Sequence, residues 1–218
     1  MIIAIDGPAA SGKSTTARLV AKKLNITYLD TGAMYRALTF QLLKSNVDFD
    51  NLDKVSTILG NLTIDMYDHK GTNIIKLNNE DITEEIRSSN VTKNVSEVSA
   101  LLIVRKFMVV MQREIGYKSD CVVEGRDIGT IVFPNADFKF FMIADIKMRA
   151  NRRLNEMNQS ATVKTFDEIV LDLEIRDDKD TNRENSPLRK AVDAVEIDTS
   201  ELTIDEQVNK IINHIKNN

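Results

Sequence analysis

A single cysteine, Cys121, leaves no partner for an internal disulfide, so a disulfide-stapled scaffold is excluded. Long apolar runs are missing as well. The longest stretches, such as Phe138 to Ala144 with Lys139 inside it, fall far short of the ~20 residues a membrane helix requires. Nor is there an excess of basic charge. With 29 Lys and Arg against 33 Asp and Glu, the formal net charge is −4, and no domain-wide positive field exists to hold a nucleic acid polymer or an anionic membrane. A small anionic ligand held by a few local arginines remains open. The opening Met-Ile-Ile-Ala-Ile-Asp lacks the charged n-region and cleavage site of a signal peptide, so a cytoplasmic location is expected. His69 and His214 have no cysteine or second histidine at metal-ligand spacing, which argues against zinc. What is present is a soluble globular composition: 218 residues, 42% hydrophobic and 28% charged, enough for one domain with insertions or at most two small ones.

Strand-like apolar runs at Ile2 to Asp6, Thr27 to Asp30, Cys121 to Glu124, Phe138 to Ile143 and Ala194 to Ile197 alternate with helical patterns. That alternation implies an α/β fold with a parallel sheet covered on both faces. Ala17, Val20, Ala21 and Leu24 fall on one helical face, as do Val208, Ile211, Ile212 and Ile215 behind a Thr203 and Glu206 capping box. Between the second and third runs, Leu62 to Tyr67 and Asn73 to Leu77 flank Asp68-His69-Lys70-Gly71 and predict a hairpin. Helical patterns follow through Ile86 and from Val95 to Ile115. Composition marks an inserted subdomain at about residues 51–90 and a second polar, charge-dense stretch at about 151–187.

Gly7-Pro8-Ala9-Ala10-Ser11-Gly12-Lys13-Ser14 matches G-x-x-x-x-G-K-[ST] and lies between an apolar strand and an amphipathic helix, the setting a phosphate-binding loop needs. The two glycines let backbone N–H groups turn inward, and the helix N-terminus adds partial positive charge. Lys13 is suited to bridging β and γ oxygens and Ser14 to ligating Mg²⁺. The loop alone does not separate kinases from GTPases, ATPase motors or nucleotide sensors. A GTPase would need a guanine-reading Asn/Thr-Lys-x-Asp, and Thr92-Lys93-Asn94-Val95 has valine where the carboxylate belongs. Asp68-His69-Lys70-Gly71 fits Asp-x-x-Gly but falls in the predicted hairpin turn.

Two further motifs end strands. Asp30-Thr31-Gly32-Ala33-Met34-Tyr35-Arg36 opens a helix, and Glu124-Gly125-Arg126-Asp127-Ile128-Gly129-Thr130 brings a second arginine to a strand end. Arg36 and Arg126 could clamp a dianionic phosphate or simply pair with nearby aspartates; spacing does not decide. Six of the twelve arginines lie between 149 and 189: Arg149, Arg152 and Arg153 at i, i+3 and i+4, then Arg176, Arg183 and Arg189. Such crowding suits a lid closing over phosphates, although the segment taken without the phosphate loop reads more readily as a solvated helix with internal Arg–Asp pairs. Phe138, Phe140 and Phe141 read as strand core, as does Cys121.

Taken together, the phosphate loop from Ile5 to Thr15, Asp30 to Arg36, Glu124 to Pro134 and Arg176 to Arg183 resemble the bacterial cytidylate kinases, the CMP/dCMP kinase family of nucleoside monophosphate kinases. That family often has Asp-Ser-Gly and Asp-Gly-Arg-Asp where this chain has Asp-Thr-Gly and Glu-Gly-Arg-Asp; Thr31 keeps the hydroxyl. The resemblance implies a P-loop fold with a core of five parallel strands (about 1–50, 91–150 and 188–218), an acceptor-binding insertion (about 51–90) and a short lid (about 151–187).

Carried over by position, the resemblance implies ATP on Gly7, Pro8, Ala9, Ala10, Ser11, Gly12, Lys13, Ser14 and Thr15, with Mg²⁺ on Ser14. The acceptor phosphate falls on Arg36, Arg126 and Arg183 with Thr31 nearby, the base on Ser96, Arg105 and Asp127, and the sugar on Arg176 and Asp180, a pair spaced to meet on a helix. Lys13, Arg126 and the lid arginine Arg153 are expected to stabilise the transferring charge. CMP and dCMP are the implied substrates of a monomer. Cytosine offers acceptors at O2 and N3 beside an amino donor at N4, which suits an arginine paired with an acid. Kinases for UMP, shikimate or gluconate, and a non-catalytic nucleotide sensor, are the alternatives.

Overall fold

In chain order the elements begin with strand β1 (Ile2–Asp6), helix α1 (Lys13–Leu24), β2 (Thr27–Asp30), α2 (Thr31–Lys44), α3 (Leu52–Gly60), β3 (Ile64–His69), β4 (Thr72–Leu77) and β5 (Glu80–Asp81). They continue with α4 (Ser89–Ala100), α5 (Leu102–Gly116), β6 (Cys121–Gly125), β7 (Phe138–Ile143), α6 (Ile146–Met157), α7 (Phe166–Asn182), β8 (Val195–Asp198) and α8 (Ile204–Lys216). This computed structural model describes residues 1–69, 72–157 and 164–218. Lys70 and Gly71, in the expected hairpin turn, and residues 158–163 of the expected lid lie outside the described residues. The chain divides into two compact units, Met1–Leu29 with Gly116–Asn218, and Asp30–Ile115.

The first unit is built on a five-stranded parallel sheet in the order β2-β6-β1-β7-β8. The β-branched and aromatic residues of the central strands β1, β6 and β7 suit burial on both faces, while the edge strands β2 and β8 are partly exposed. Ile3, Ile5, Val122, Phe140 and Met142 pack against Ala17, Val20 and Ala21 of α1 and Val208, Ile211 and Ile212 of α8. Each fully buried large apolar side chain contributes about 1.5–3 kcal/mol before chain entropy is counted. The Thr203–Glu206 capping box is present, with Thr203 accepting from Glu206 N and Glu206 accepting from Thr203 N. A second cluster joins Ala9 of the phosphate loop to Ala150 of α6 and to Ile169 and Leu173 of α7.

The second unit carries the three-stranded sheet β3-β4-β5, with the β3–β4 hairpin registered from Ile64↔Leu77 to His69↔Thr72. Its helices bury Leu38, Leu42, Val55, Leu59, Val91, Val98, Val104 and Met108. The pattern from Val95 to Ile115 implied uninterrupted helix, and the structure differs. Leu101 adopts an extended backbone (φ −62°, ψ 124°) and ends α4 before α5 begins. The break costs intrahelical hydrogen bonds, and one is replaced from a side chain: Arg105 Nη1 donates to the freed Ser99 carbonyl at 3.1 Å. None of the described helices is long and apolar enough to cross a membrane.

Candidate active site

The loop between β1 and α1 takes backbone conformations that explain its glycines. Gly12, at φ 90°, sits in the left-handed region as the N-cap of α1. At Gly7 a Cβ would stand 2.2 Å from the Met142 carbonyl oxygen of β7, so only hydrogen fits. The loop is fixed from behind. Thr199 Oγ1 donates to Ser11 O at 2.8 Å, Arg149 Nη1 donates to Ala9 O at 3.2 Å, and Thr16 Oγ1 donates to Gln207 Oε1 at 2.7 Å. Such anchoring holds the loop's N–H groups in place at the start of α1.

Lys13 is buried at 6% exposure, and its Nζ donates to the Pro8 carbonyl at 3.1 Å. Burial pushes its pKa well below the ordinary lysine value; the Arg126 and Arg176 charges push the same way, and Glu124 and Asp180 oppose them. A lysine so destabilised gains strongly from a polyanion. Ser14 is exposed in the first turn of α1. Its hydroxyl oxygen is the hard donor Mg²⁺ prefers. Among the described residues no group of three or more His, Cys, Asp and Glu converges to hold a metal.

Beyond β6, Arg126 and Asp127 lie in the turn that leads into a short π-helical segment, Ile128–Val132. Arg126 Nε donates to Asp180 Oδ2 of α7 at 2.9 Å, and Arg183 Nη2 stands 3.8 Å from Asp127 Oδ1. The four side chains are mostly buried, from 6% to 17% exposed. Burial alone would raise the Asp180 pKa, but Arg126, Arg176 and Arg183 outweigh it and hold the carboxyl below its usual value. Burial likewise opposes the Arg126 charge, and Asp180, Glu124 and Asp177 outweigh it. The expected neighbour of Asp180 was Arg176, one turn earlier on α7. Arg176 does act on it electrostatically, and Arg126 supplies a direct hydrogen bond.

The second unit holds the other expected residues. Thr31 is buried at the first position of α2, whose N-cap is Asp30. The Asp30 carboxylate accepts from Ala33 N at 2.8 Å and from Arg36 Nη2 at 3.3 Å, so one acid caps the helix and holds the arginine. Arg105 is 3% exposed, and its guanidinium lies over the Tyr35 ring at 5.6 Å. Ser96, half-buried on α4, gives its carbonyl to Ser99 Oγ at 3.0 Å.

The three arginines expected on one face of α6 have three different partners. Arg149 forms a short ion pair with Asp177, Arg152 donates to Thr199 Oγ1 at 3.1 Å, and Arg153 pairs with Glu156 at 3.0 Å on the surface. Arg149 is thus a strut between the phosphate loop, α6 and α7.

With this geometry in hand, the family model for cytidylate kinase matches residues 3–217. The chain belongs to the cytidylate kinase family. It is 49% identical over 215 residues to a cytidylate kinase of Clostridioides difficile, covering 99% of this chain and 98% of that one. It is 45% identical over 216 residues to a cytidylate kinase of Fusobacterium nucleatum, covering 99% and 97%. The fold also resembles a shikimate kinase from Bacteroides thetaiotaomicron, with a TM-score of 0.51, 12% identity and coverage of 99% and 98%. An uncharacterised Eubacterium ventriosum protein gives a TM-score of 0.56 at 13% identity over 100% and 99% of the two chains. These structural likenesses are of fold alone.

Tyr28 lies outside the sequence motifs, and Asp6 and Glu124, though inside them, are given no role there. Tyr28 Oη donates to the buried Glu124 carboxylate at 2.9 Å, and Asp6 accepts from two backbone amides beyond Asp127. Their partners lie 96 and more than 120 positions away, a separation no local pattern encodes. An acid ending a β-branched strand directly before the glycine loop was the available signal for Asp6.

Proposed function

We infer that the protein transfers the γ-phosphoryl group of ATP to CMP and dCMP, giving ADP with CDP or dCDP. The observation that carries the reading is that the first unit holds both a glycine-fixed phosphate loop with Lys13 buried in it and an Arg126 held by Asp180; burial, and after it the Arg126 and Arg176 charges, disfavours the Lys13 charge. A lysine suited to the donor phosphates and arginines suited to an acceptor phosphate repel one another, and Glu124 and Asp180 oppose that repulsion without cancelling the cost of burying Lys13. The repulsion between lysine and arginines favours binding two phosphorylated substrates side by side.

Catalysis then rests on positioning and charge neutralisation, because the acceptor phosphate is already a nucleophile. Gly7 through Thr15 hold the ATP phosphates, and Lys13 follows charge onto the β–γ bridge as it breaks. Mg²⁺ held by Ser14 would neutralise phosphate charge when bound. Arg36, Arg126 and Arg183 orient the acceptor phosphate beside Thr31, Arg176 and Asp180 hold the sugar, and Ser96, Arg105 and Asp127 read the base. Arg153 is assigned to the transferring group, since its exposed pair with Glu156 is worth at most about 1 kcal/mol and exchanges readily. Closure of the lid over the phosphates would exclude water that could hydrolyse ATP. We propose a monomeric enzyme acting in the cytoplasm, and the net charge of −4 supports the absence of a nucleic acid polymer or anionic membrane partner.

Lys13→Ala tests the scheme. ADP release with CMP should fall by roughly 10²–10³-fold while circular dichroism stays native. Turnover near wild type would contradict the assignment.

A further inference from the structure

Asp6 is a buried acid that the reaction scheme leaves without a task. It is the last residue of β1, directly before Gly7, and is only 4% exposed. Its Oδ1 accepts from Ile128 N and its Oδ2 from Gly129 N, both at 2.8 Å. Those are the first two amides of the π-helical segment following Asp127, which itself makes no capping hydrogen bond with its side chain. Asp6 therefore caps this segment from another strand. At Gly129 an added Cβ would lie 3.2 Å from Lys139 Cδ and 3.5 Å from Asp6 Oδ2, so the chain approaches closely there.

A residue kept only for packing would not be a carboxylate in this place. Burial opposes its charge, and the two amides offset that cost only in part. What the carboxylate gains is geometry. One rigid, two-pronged acceptor fixes the turn carrying Arg126 and Asp127 against the strand that opens the phosphate loop. We propose that Asp6 is a positioning residue that sets the acceptor-binding turn at Arg126 and Asp127 in register with the phosphate loop, and thereby controls acceptor affinity and base selectivity.

This rests on the CMP-kinase reading above, and the test keeps the two apart. Wild-type enzyme and Asp6→Asn are compared in steady state with CMP and UMP, each at saturating ATP, and with ATP varied at saturating CMP. Asparagine keeps the shape but turns an N–H₂ toward one of the amides. The expected result is a KM for CMP raised roughly tenfold to a hundredfold and a smaller CMP-over-UMP preference, with the KM for ATP changed much less. Wild type failing to phosphorylate CMP would overturn the functional reading itself. A functional wild type with an Asp6→Asn variant that loses only thermal stability, at unchanged KM for CMP and unchanged preference, would overturn the role of Asp6.

Should the variant fail to fold, hydrogen exchange on the wild type decides. Amides of Ile128 and Gly129 should be slowed roughly tenfold or more by CMP. Protection unaltered by CMP would contradict the proposal.

Discussion

At the scale of single residues, this site is made of charges kept where burial disfavours them. Asp6 shows the consequence for stability. Burial raises its pKa from 3.8 to about 7, against the opposing pull of the Gly129 and Ile128 amides. The folded chain therefore holds a proton that the unfolded chain has already released between those two values. Asp6 thus makes folding less favourable as pH rises from about 4 to about 7. Compared by urea unfolding at about pH 5 and about pH 7.5, the stability of wild type minus that of Asp6→Asn should be smaller at the higher pH. A difference independent of pH would place the Asp6 proton elsewhere. Asp127 belongs to the same scale. Asp127→Ala removes an acid 3.8 Å from Arg183 and, in the proposed scheme, the acceptor for the cytosine amino group. KM for CMP should rise by roughly 10–100-fold and the CMP-over-UMP preference should shrink. An unchanged preference would remove Asp127 from base reading.

At the scale of elements, the strand–loop–helix start of the chain leaves almost no freedom. Gly7→Ala forces a Cβ against the Met142 carbonyl of β7, a backbone atom that cannot step aside. Destabilisation of at least about 2 kcal/mol, with weakened ATP binding, is expected from denaturant unfolding and nucleotide titration. Gly60 is the contrast. It ends α3 with nothing within 4 Å of an added Cβ, so Gly60→Ala should stabilise by about 0.5–1 kcal/mol and leave turnover unchanged.

The same contrast explains what could be read in advance. Periodicity located the five core strands, most plainly the central β1, β6 and β7, because strands buried on both faces write themselves as continuous apolar runs. It placed the capped terminal helix for the same kind of local reason. The interruption at Leu101 was not legible, since no glycine or proline marks it and it is stabilised by Arg105 reaching back to Ser99. The motif residues were legible as types at fixed spacing. Their partners were not: the bond from Arg126 to Asp180 spans 54 positions and depends on how α7 packs.

At the scale of the whole molecule, the net charge of −4 says little about the chemistry inside. The basic residues that matter are few and mostly buried, and most have an acid set against them: Asp180 for Arg126, Asp127 for Arg183, Asp30 for Arg36 and Asp177 for Arg149. Such pairs keep the arginines charged and aimed, and add little net stability after desolvation. A fold shared at 12% identity with a shikimate kinase does not fix the acceptor, so the identity of the acceptor is the claim most worth testing. The direct measurement is ADP release by the purified protein with ATP and Mg²⁺, run in parallel on CMP, dCMP, UMP, AMP, shikimate and gluconate. Turnover on CMP and dCMP should exceed that on every other acceptor by roughly tenfold or more in kcat/KM. Equal or greater turnover on UMP, shikimate or gluconate, or ATP binding with no ADP formed on any acceptor, would contradict the account.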